Sequence, residues 1–166
     1  MANSSIIPNA KRKIIREFIN NEDFVKALNI QDSKITDETD LINQYIFDYN
    51  QNPFTIQNDI TFVTVQVHIP AERFYGDTHS FVHPEVEIWI YSHYKNMKVD
   101  NIPKVNMNRN DYLSVLVDNM LNGRSDFGIG NLELLSNVEG TLQADYLFRA
   151  LRFRGTDLNK SLCNED

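Results

Sequence analysis

Two long runs of alternating apolar and polar residues constrain the fold of this chain most strongly. Val63, Val65 and Val67 share one face of residues 60–69, and polar side chains share the other face. Residues 85–94 repeat the pattern. Because successive side chains of a strand point to opposite faces, both runs are predicted to be half-buried strands. They are expected to pair antiparallel with each other.

A helix and two further strands are predicted to complete the core. Apolar residues recur at helical spacing in residues 111–121, and Gly123 follows where a left-handed residue commonly ends a helix. Residues 127–135 and 142–153 are predicted to be a last pair of strands, joined near residues 137–140. The order strand, strand, helix, strand, strand predicts an α+β fold: a largely antiparallel sheet of about four strands, with helices packed on one face.

The N-terminal part is predicted to be helical. Residues 11–19 carry an apolar stripe with cations opposite it, and Asn20 or Asn21 is expected to cap a second short helix. Residues 37–49 also fit one short helix.

These elements predict a single α+β domain over residues 1–159. It comprises an N-terminal helical region, residues 8–49, and a sheet-plus-helix core, residues 60–158. Residues 70–82 are polar and predict a long exposed loop, and residues 160–166 predict a loose polar tail.

Composition excludes several classes of protein. The length of 166 residues suits one core, and the formal net charge of −7 argues against a general nucleic-acid binder. The single cysteine, Cys163, excludes a disulfide within the chain. No secretory signal is visible, and no apolar run approaches the length that spans a bilayer. We therefore expect a protein that is synthesised in the cytosol and does not associate with a membrane.

The candidate catalytic and metal-binding patterns are incomplete. His83, Glu85 and Glu87 point to one side of a strand, which is an acceptable edge for a metal site, but we favour a solvated strand face as their interpretation. A nuclease of the restriction-enzyme type needs a lysine where Trp89 stands. No nucleophile elbow, phosphate-binding loop or dinucleotide fingerprint is present. We expect no enzyme activity, no catalytic or metal-binding residues and no cofactor.

The remaining surface features suggest contacts between proteins. Lys11, Arg12, Lys13 and Arg16 form a basic helix face, which we interpret as solvated. The last strand is apolar on both faces, and a neighbouring subunit is one way to cover the second face. The candidate interface residues are two aromatic side chains and three arginines near the chain end: Trp89, Tyr91, Arg149, Arg152 and Arg154. We expect the arginines to pair with acidic residues of the same chain or of a neighbour.

Several runs of the sequence together resemble a known family. They include Phe127-Gly128-Ile129-Gly130 and the segment Tyr146-Leu147-Phe148-Arg149-Ala150-Leu151-Arg152-Phe153-Arg154, and they extend to residues 87–98, 109–118, 132–137 and 155–159. Their order is similar to small neck proteins of tailed bacteriophages, the tail-terminator and head–tail joining group. The similarity covers about residues 11–159.

The resemblance implies a structural virion protein at the junction of neck and tail. It implies a homo-oligomeric ring, a hexamer, at the head-proximal end of the tail, which ends growth of the tube. The implied partners are copies of itself, the tail-tube protein and the neck or head-completion proteins, while DNA passes through the lumen without specific binding.

Three alternatives stay open on the sequence. A head-closure stopper or an adaptor of the neck fits the same patterns as a terminator. A small metal-dependent hydrolase using His83, Glu85 and Glu87 is a more distant alternative. A monomeric, phage-encoded binding module is a third.

Overall fold

The computed structural model describes residues 4–31, 37–56, 59–70, 83–142 and 144–156. Apart from Pro70, the predicted loop lies outside the described residues, as do the polar tail and Cys163. The described elements are the helices α1 Ile6–Asn20, α2 Glu22–Ala27 and α3 Arg109–Leu121, three short 3₁₀ turns (Glu38–Leu41, Pro53–Thr55, Tyr94–Asn96), and the strands β1 Ile46–Phe47, β2 Thr61–His68, β3 Glu85–His93, β4 Glu133–Leu142 and β5 Tyr146–Arg154.

The strands form one mixed sheet in the order β1-β2-β3-β5-β4. β2, β3, β5 and β4 pair antiparallel, and the two-residue β1 pairs parallel with β2. Three antiparallel ladders and one short parallel ladder confirm the predicted α+β class with a largely antiparallel sheet. The fifth strand, β1, is an addition to the prediction.

One face of the sheet packs against the helices and forms the main core. Val63 and Val65 of β2, Ile88 and Ile90 of β3 and Leu151 of β5 are fully buried on this face. The apolar stripe of α1 and the inner side of α3 cover them, as the helical spacing predicts. Helices on one face are thus confirmed.

The helix ends follow from capping residues. The side chain of Asn21 accepts a hydrogen bond from the N–H of Phe24 at 2.9 Å, so Asn21 is the N-cap of α2. Asn108 caps α3 by accepting from the N–H of Asp111 at 2.9 Å. Gly123 lies just past α3 with φ of +77°, which confirms the predicted left-handed residue at the helix end.

The helix predicted for residues 37–49 is wrong. Asp37 forms a capping box that starts a 3₁₀ turn, and this turn ends at Leu41. Asn43 then adopts φ of +65°, a left-handed conformation that a continuous helix excludes. The chain therefore turns and enters β1 at Ile46.

The predicted boundaries of the last two strands are also wrong. Residues 127–132 are not a strand, because Gly128 and Gly130 have φ of +81° and +77° and direct the chain through turns. The predicted turn at residues 137–140 lies inside β4 instead. The connection falls between Leu142 and Tyr146, so β4 is a ten-residue strand.

Candidate subunit interface

The sheet face opposite the helices carries a cluster of aromatic rings. Phe62 stacks on Tyr91 at 4.9 Å between ring centroids, and Tyr146 meets Phe62 edge-on at 6.0 Å. Phe148 lies 5.1 Å from Trp89. These rings hold one another in place on adjacent strands, which makes this face rigid.

The two aromatic interface candidates differ in exposure. The ring of Trp89 is half-buried, and its Nε1 donates a hydrogen bond to Glu87 at 3.3 Å. Tyr91 is only 5% exposed, and burial raises the pKa of its hydroxyl to about 12. Trp89 is therefore accessible to a neighbouring subunit, whereas Tyr91 is buried and packs beside Trp89 within the chain.

Two of the arginine candidates share one buried carboxylate. Nε of Arg152 donates to Glu85 Oε2 at 2.9 Å, and Arg154 donates to Glu85 Oε1 at 3.3 Å. Burial by itself raises the pKa of Glu85, but the hydrogen bonds from Arg152 and Arg154 outweigh it and lower the pKa below its usual value. The two guanidinium groups thus form ion pairs within the chain.

Arg149 also pairs within the chain, on the helix side of the sheet. Its guanidinium forms an ion pair with Asp111 of α3 and donates to Glu139 at 2.9 Å and to Asn137 at 3.0 Å. This network ties β4 and β5 to α3. The sequence left open whether these arginines pair within the chain or with a neighbouring subunit. In the structure, all three form ion pairs within the chain.

The residues of the proposed metal edge are engaged by other groups. Glu85 accepts from the two arginines, and Glu87 accepts from Trp89 and lies 4.0 Å from Nε2 of His68. The ring of His83 contacts the carbonyl oxygen of Gly155 at 3.2 Å. Within the described part of the chain, no group of three or more His, Cys, Asp or Glu is placed to hold a metal ion.

One edge of the sheet is a long and exposed strand. β4 is last in the strand order, and its side chains are mostly exposed or half-buried. Leu135 is 46% exposed and Val138 is 53% exposed. β4 contains neither Lys nor Pro, the residues that commonly protect an edge strand from pairing with another chain.

The opposite edge of the sheet is also apolar. β1 is buried, but Ile42 before it and Tyr49 and Phe54 after it are 37%, 46% and 51% exposed. The ring of Tyr49 packs edge-on against Phe47 of β1 at 5.5 Å, which fixes it beside this edge. The sheet therefore presents exposed apolar side chains at both of its ends.

The sequence patterns did not identify these edge residues as interface candidates. Leu135 and Val138 were assigned to a strand end and a turn, although Leu134, Ser136, Val138, Gly140 and Leu142 are spaced by two. That spacing, together with the polar residues 143–145 after it, is the signal that predicts one long strand.

Comparison with known proteins gives one family. The sequence profile of the YomW family matches residues 21–154, which covers both edges of the sheet, α2 and α3. No curated protein matches the chain significantly. Among the described residues, no helix combines the length and the apolar character that crossing a bilayer requires.

Proposed function

We propose, from the premise that the chain belongs to the YomW family, that it is a structural subunit of a phage particle and not an enzyme. The family carries the name of a Bacillus phage gene, which indicates a phage-derived protein. In this proposal the protein works by binding copies of itself and other virion proteins, and it catalyses no reaction.

The proposed assembly is a ring at the head-proximal end of the tail, as in a tail terminator. A ring needs two unlike and complementary surfaces on each subunit, so that each copy binds the next in the same orientation. The observation that carries the proposal is the pair of apolar edges. Leu135 and Val138 at β4 would meet Ile42, Tyr49 and Phe54 of the neighbouring copy.

Charge supports a ring through which DNA passes. The chain has a formal net charge of −7, and all three arginines of β5 are neutralised by carboxylates of the same chain. A net acidic ring repels the phosphate backbone and therefore lets DNA slide through its lumen. The repulsion is a property of the whole ring and is compatible with a local basic site.

The size of the purified protein tests the assembly. Sedimentation velocity and negative-stain microscopy, with and without the tail-tube protein, are expected to detect an annular oligomer, and a hexamer is the number we expect. A monomer under every condition, including with virion partners, contradicts the proposal.

Deletion of the gene from the phage tests the place in the virion. Over-long tails that are not joined to heads are the result expected for a terminator. Heads that leak DNA would identify a stopper or an adaptor of the neck instead. Normal, infectious particles would show that the protein has no structural role.

A further inference from the structure

A stripe of polar and basic side chains on α1 lines a surface cavity of about 360 Å³. Arg12 and Lys13 follow Asn9 by three and four residues, and Arg16 follows them by four and three, so the four side chains share one side of the helix. The other wall contains Phe127 and Gly128, and Ile6 is at one end. The cavity thus combines cations with an apolar wall, and its size is at the lower end of the range for small-molecule sites.

The carboxylates beside the cavity are already neutralised. Arg124 donates to Glu17 at 2.7 Å and to Asp126 at 3.0 Å, and it lies over the ring of Phe127 at 4.8 Å. Hydrogen bonds from Arg124 lower the pKa of Asp126, which therefore stays charged and bound to Arg124. Lys13 donates to the main-chain carbonyl of Asp126 at 2.8 Å, not to a carboxylate.

Arg12 and Arg16 are different from the other arginines of the structure. Arg109, Arg124, Arg149, Arg152 and Arg154 each bind acceptors of the same chain. Arg12 and Arg16 are exposed, and within the described part of the chain neither has a hydrogen bond or an ion pair. In a chain with 23 acidic and 16 basic residues, two unpaired arginines one turn apart at a cavity require an explanation.

We infer that this cavity binds a phosphate group. Guanidinium groups bind phosphate oxygens bidentately, and two arginines on one side can hold a tetrahedral anion from two directions. Gly128 has φ of +81° and no side chain, so the opposite wall leaves room for the ligand. The phosphate belongs to a nucleotide or to a DNA backbone, and Ile6, which is half-buried, can contact the rest of the ligand. This site goes beyond the proposed assembly role and does not depend on it.

The test is titration calorimetry with three probes: inorganic phosphate, ADP and a 20-base-pair DNA duplex. The double variant Arg12→Gln/Arg16→Gln removes two charges at the cavity. The double variant Lys98→Gln/Lys104→Gln removes two charges from exposed positions outside it and is the matched control. Thermal unfolding of both variants checks that they are folded, and we expect this because neither arginine has a described partner.

We expect at least one probe to bind the wild type and the control equally, and to lose tenfold or more of its affinity in the Arg12→Gln/Arg16→Gln variant. Tighter binding of ADP than of inorganic phosphate indicates that the bound phosphate group belongs to a nucleotide. Duplex binding that phosphate competes away and that weakens steeply with salt identifies the DNA backbone. The inference is overturned if no probe binds at millimolar concentration, or if the control loses as much affinity as the cavity variant.

Discussion

Glu85 is a buried carboxylate whose charge depends on two arginines. Its side chain is 6% exposed, while those of Arg152 and Arg154 are 47% and 44% exposed. The folded protein binds the proton of Glu85 less tightly than the unfolded chain does, because the pKa is lowered on folding. The ion pairs therefore stabilise the fold above the ordinary glutamate pKa, and this contribution is lost as the pH falls through the folded-state pKa.

The variant Glu85→Gln is expected to be less stable at pH 7 by about 1–2 kcal/mol, since the amide cannot replace the charged hydrogen bonds. It is also expected to lose less stability than the wild type between pH 7 and pH 3. Urea unfolding at both pH values measures this difference. Glu22→Gln, at a side chain that is 87% exposed, is the control and should change little. An equal loss of stability with acid in the wild type and in Glu85→Gln contradicts the assignment.

Arg109 fixes the start of α3 to the N-terminal helices. Its side chain is fully buried and donates to the carbonyl oxygens of Ala27, Asn96 and Lys98 and to the side chain of Asn101. Burial lowers the pKa of Arg109, yet a guanidinium stays protonated, and these acceptors satisfy its donors. One side chain thus joins three separate segments.

The variant Arg109→Lys is expected to lower the free energy of unfolding by about 2–4 kcal/mol, because an ammonium has fewer donors and cannot reach all four acceptors. Arg16→Lys, at an exposed position, should leave the free energy of unfolding within about 0.5 kcal/mol of the wild type. Urea unfolding followed by circular dichroism compares the two. If Arg109→Lys is as stable as Arg16→Lys, the buried network does not hold these segments together.

At the scale of elements, the turn before β4 is held by a close approach between two backbones. Gly130 has φ of +77°, and a Cβ on it would lie 2.4 Å from Oγ1 and 2.7 Å from the carbonyl oxygen of Thr156. Thr156 also donates its N–H to Asn131, and its Oγ1 accepts from the N–H of Asn131 at 2.9 Å. The residues after β5 therefore fix the loop that leads into β4.

The variants Gly130→Ala and Gly123→Ala separate two reasons for a glycine: a left-handed backbone conformation and a close approach between backbones. Both positions have φ of +77°, so each alanine costs about 1 kcal/mol of backbone strain. A Cβ on Gly123 meets nothing within 4 Å, whereas a Cβ on Gly130 collides with Thr156. We expect this collision to lower the free energy of unfolding of Gly130→Ala by a further amount of about 1–3 kcal/mol. Thermal and urea unfolding of both variants measures the difference. Equal losses of stability would mean that the close approach contributes nothing.

Elements that pack an apolar face against the main core were predictable from the sequence, whereas the exposed strand β4 was not. β2, β3 and α3 show a clear period because the main core selects apolar residues on the side that faces it, although most residues of β2 and β3 are buried on both faces of the sheet. β4 is exposed on most positions, so burial imposes no period, and its middle was assigned to a turn. In residues 37–49 the apolar spacing fits a helix, and only the local conformations of Asp37 and Asn43 exclude it.

The candidate interface depends on information that is not local. The strand order β1-β2-β3-β5-β4 decides which strands are edges, and no short pattern in the sequence encodes that order. The predicted candidates Trp89, Tyr91 and Arg149 are on β3 and β5, which are two of the three inner strands. The exposed apolar residues Leu135 and Val138 could be recognised only once β4 was known to be last.

At the scale of the whole molecule, five of the eight large apolar side chains that are exposed in the described residues belong to β4 or are close to β1 in sequence, and the other three are Tyr94, Met107 and Val115. Leu135 and Val138 belong to one edge of the sheet, and Ile42, Tyr49 and Phe54 flank the other. Two unlike edges allow each copy to bind the next head to tail, and such contacts close into a ring when the rotation between copies permits. A single self-complementary edge would stop at a dimer instead.

Sedimentation velocity of edge variants tests this central claim most directly. Val138→Lys places a charge at the β4 edge, and Tyr49→Lys places one beside Phe47 at the β1 edge. Val115→Lys changes an exposed residue of α3 and is the control. We expect the control to assemble as the wild type does and each edge variant alone to be monomeric. An equimolar mixture of Val138→Lys and Tyr49→Lys should form a heterodimer and grow no further, because one intact edge remains on each partner. A wild type that stays monomeric, a Val138→Lys variant that assembles normally, or a Tyr49→Lys variant that dimerises by itself contradicts the account.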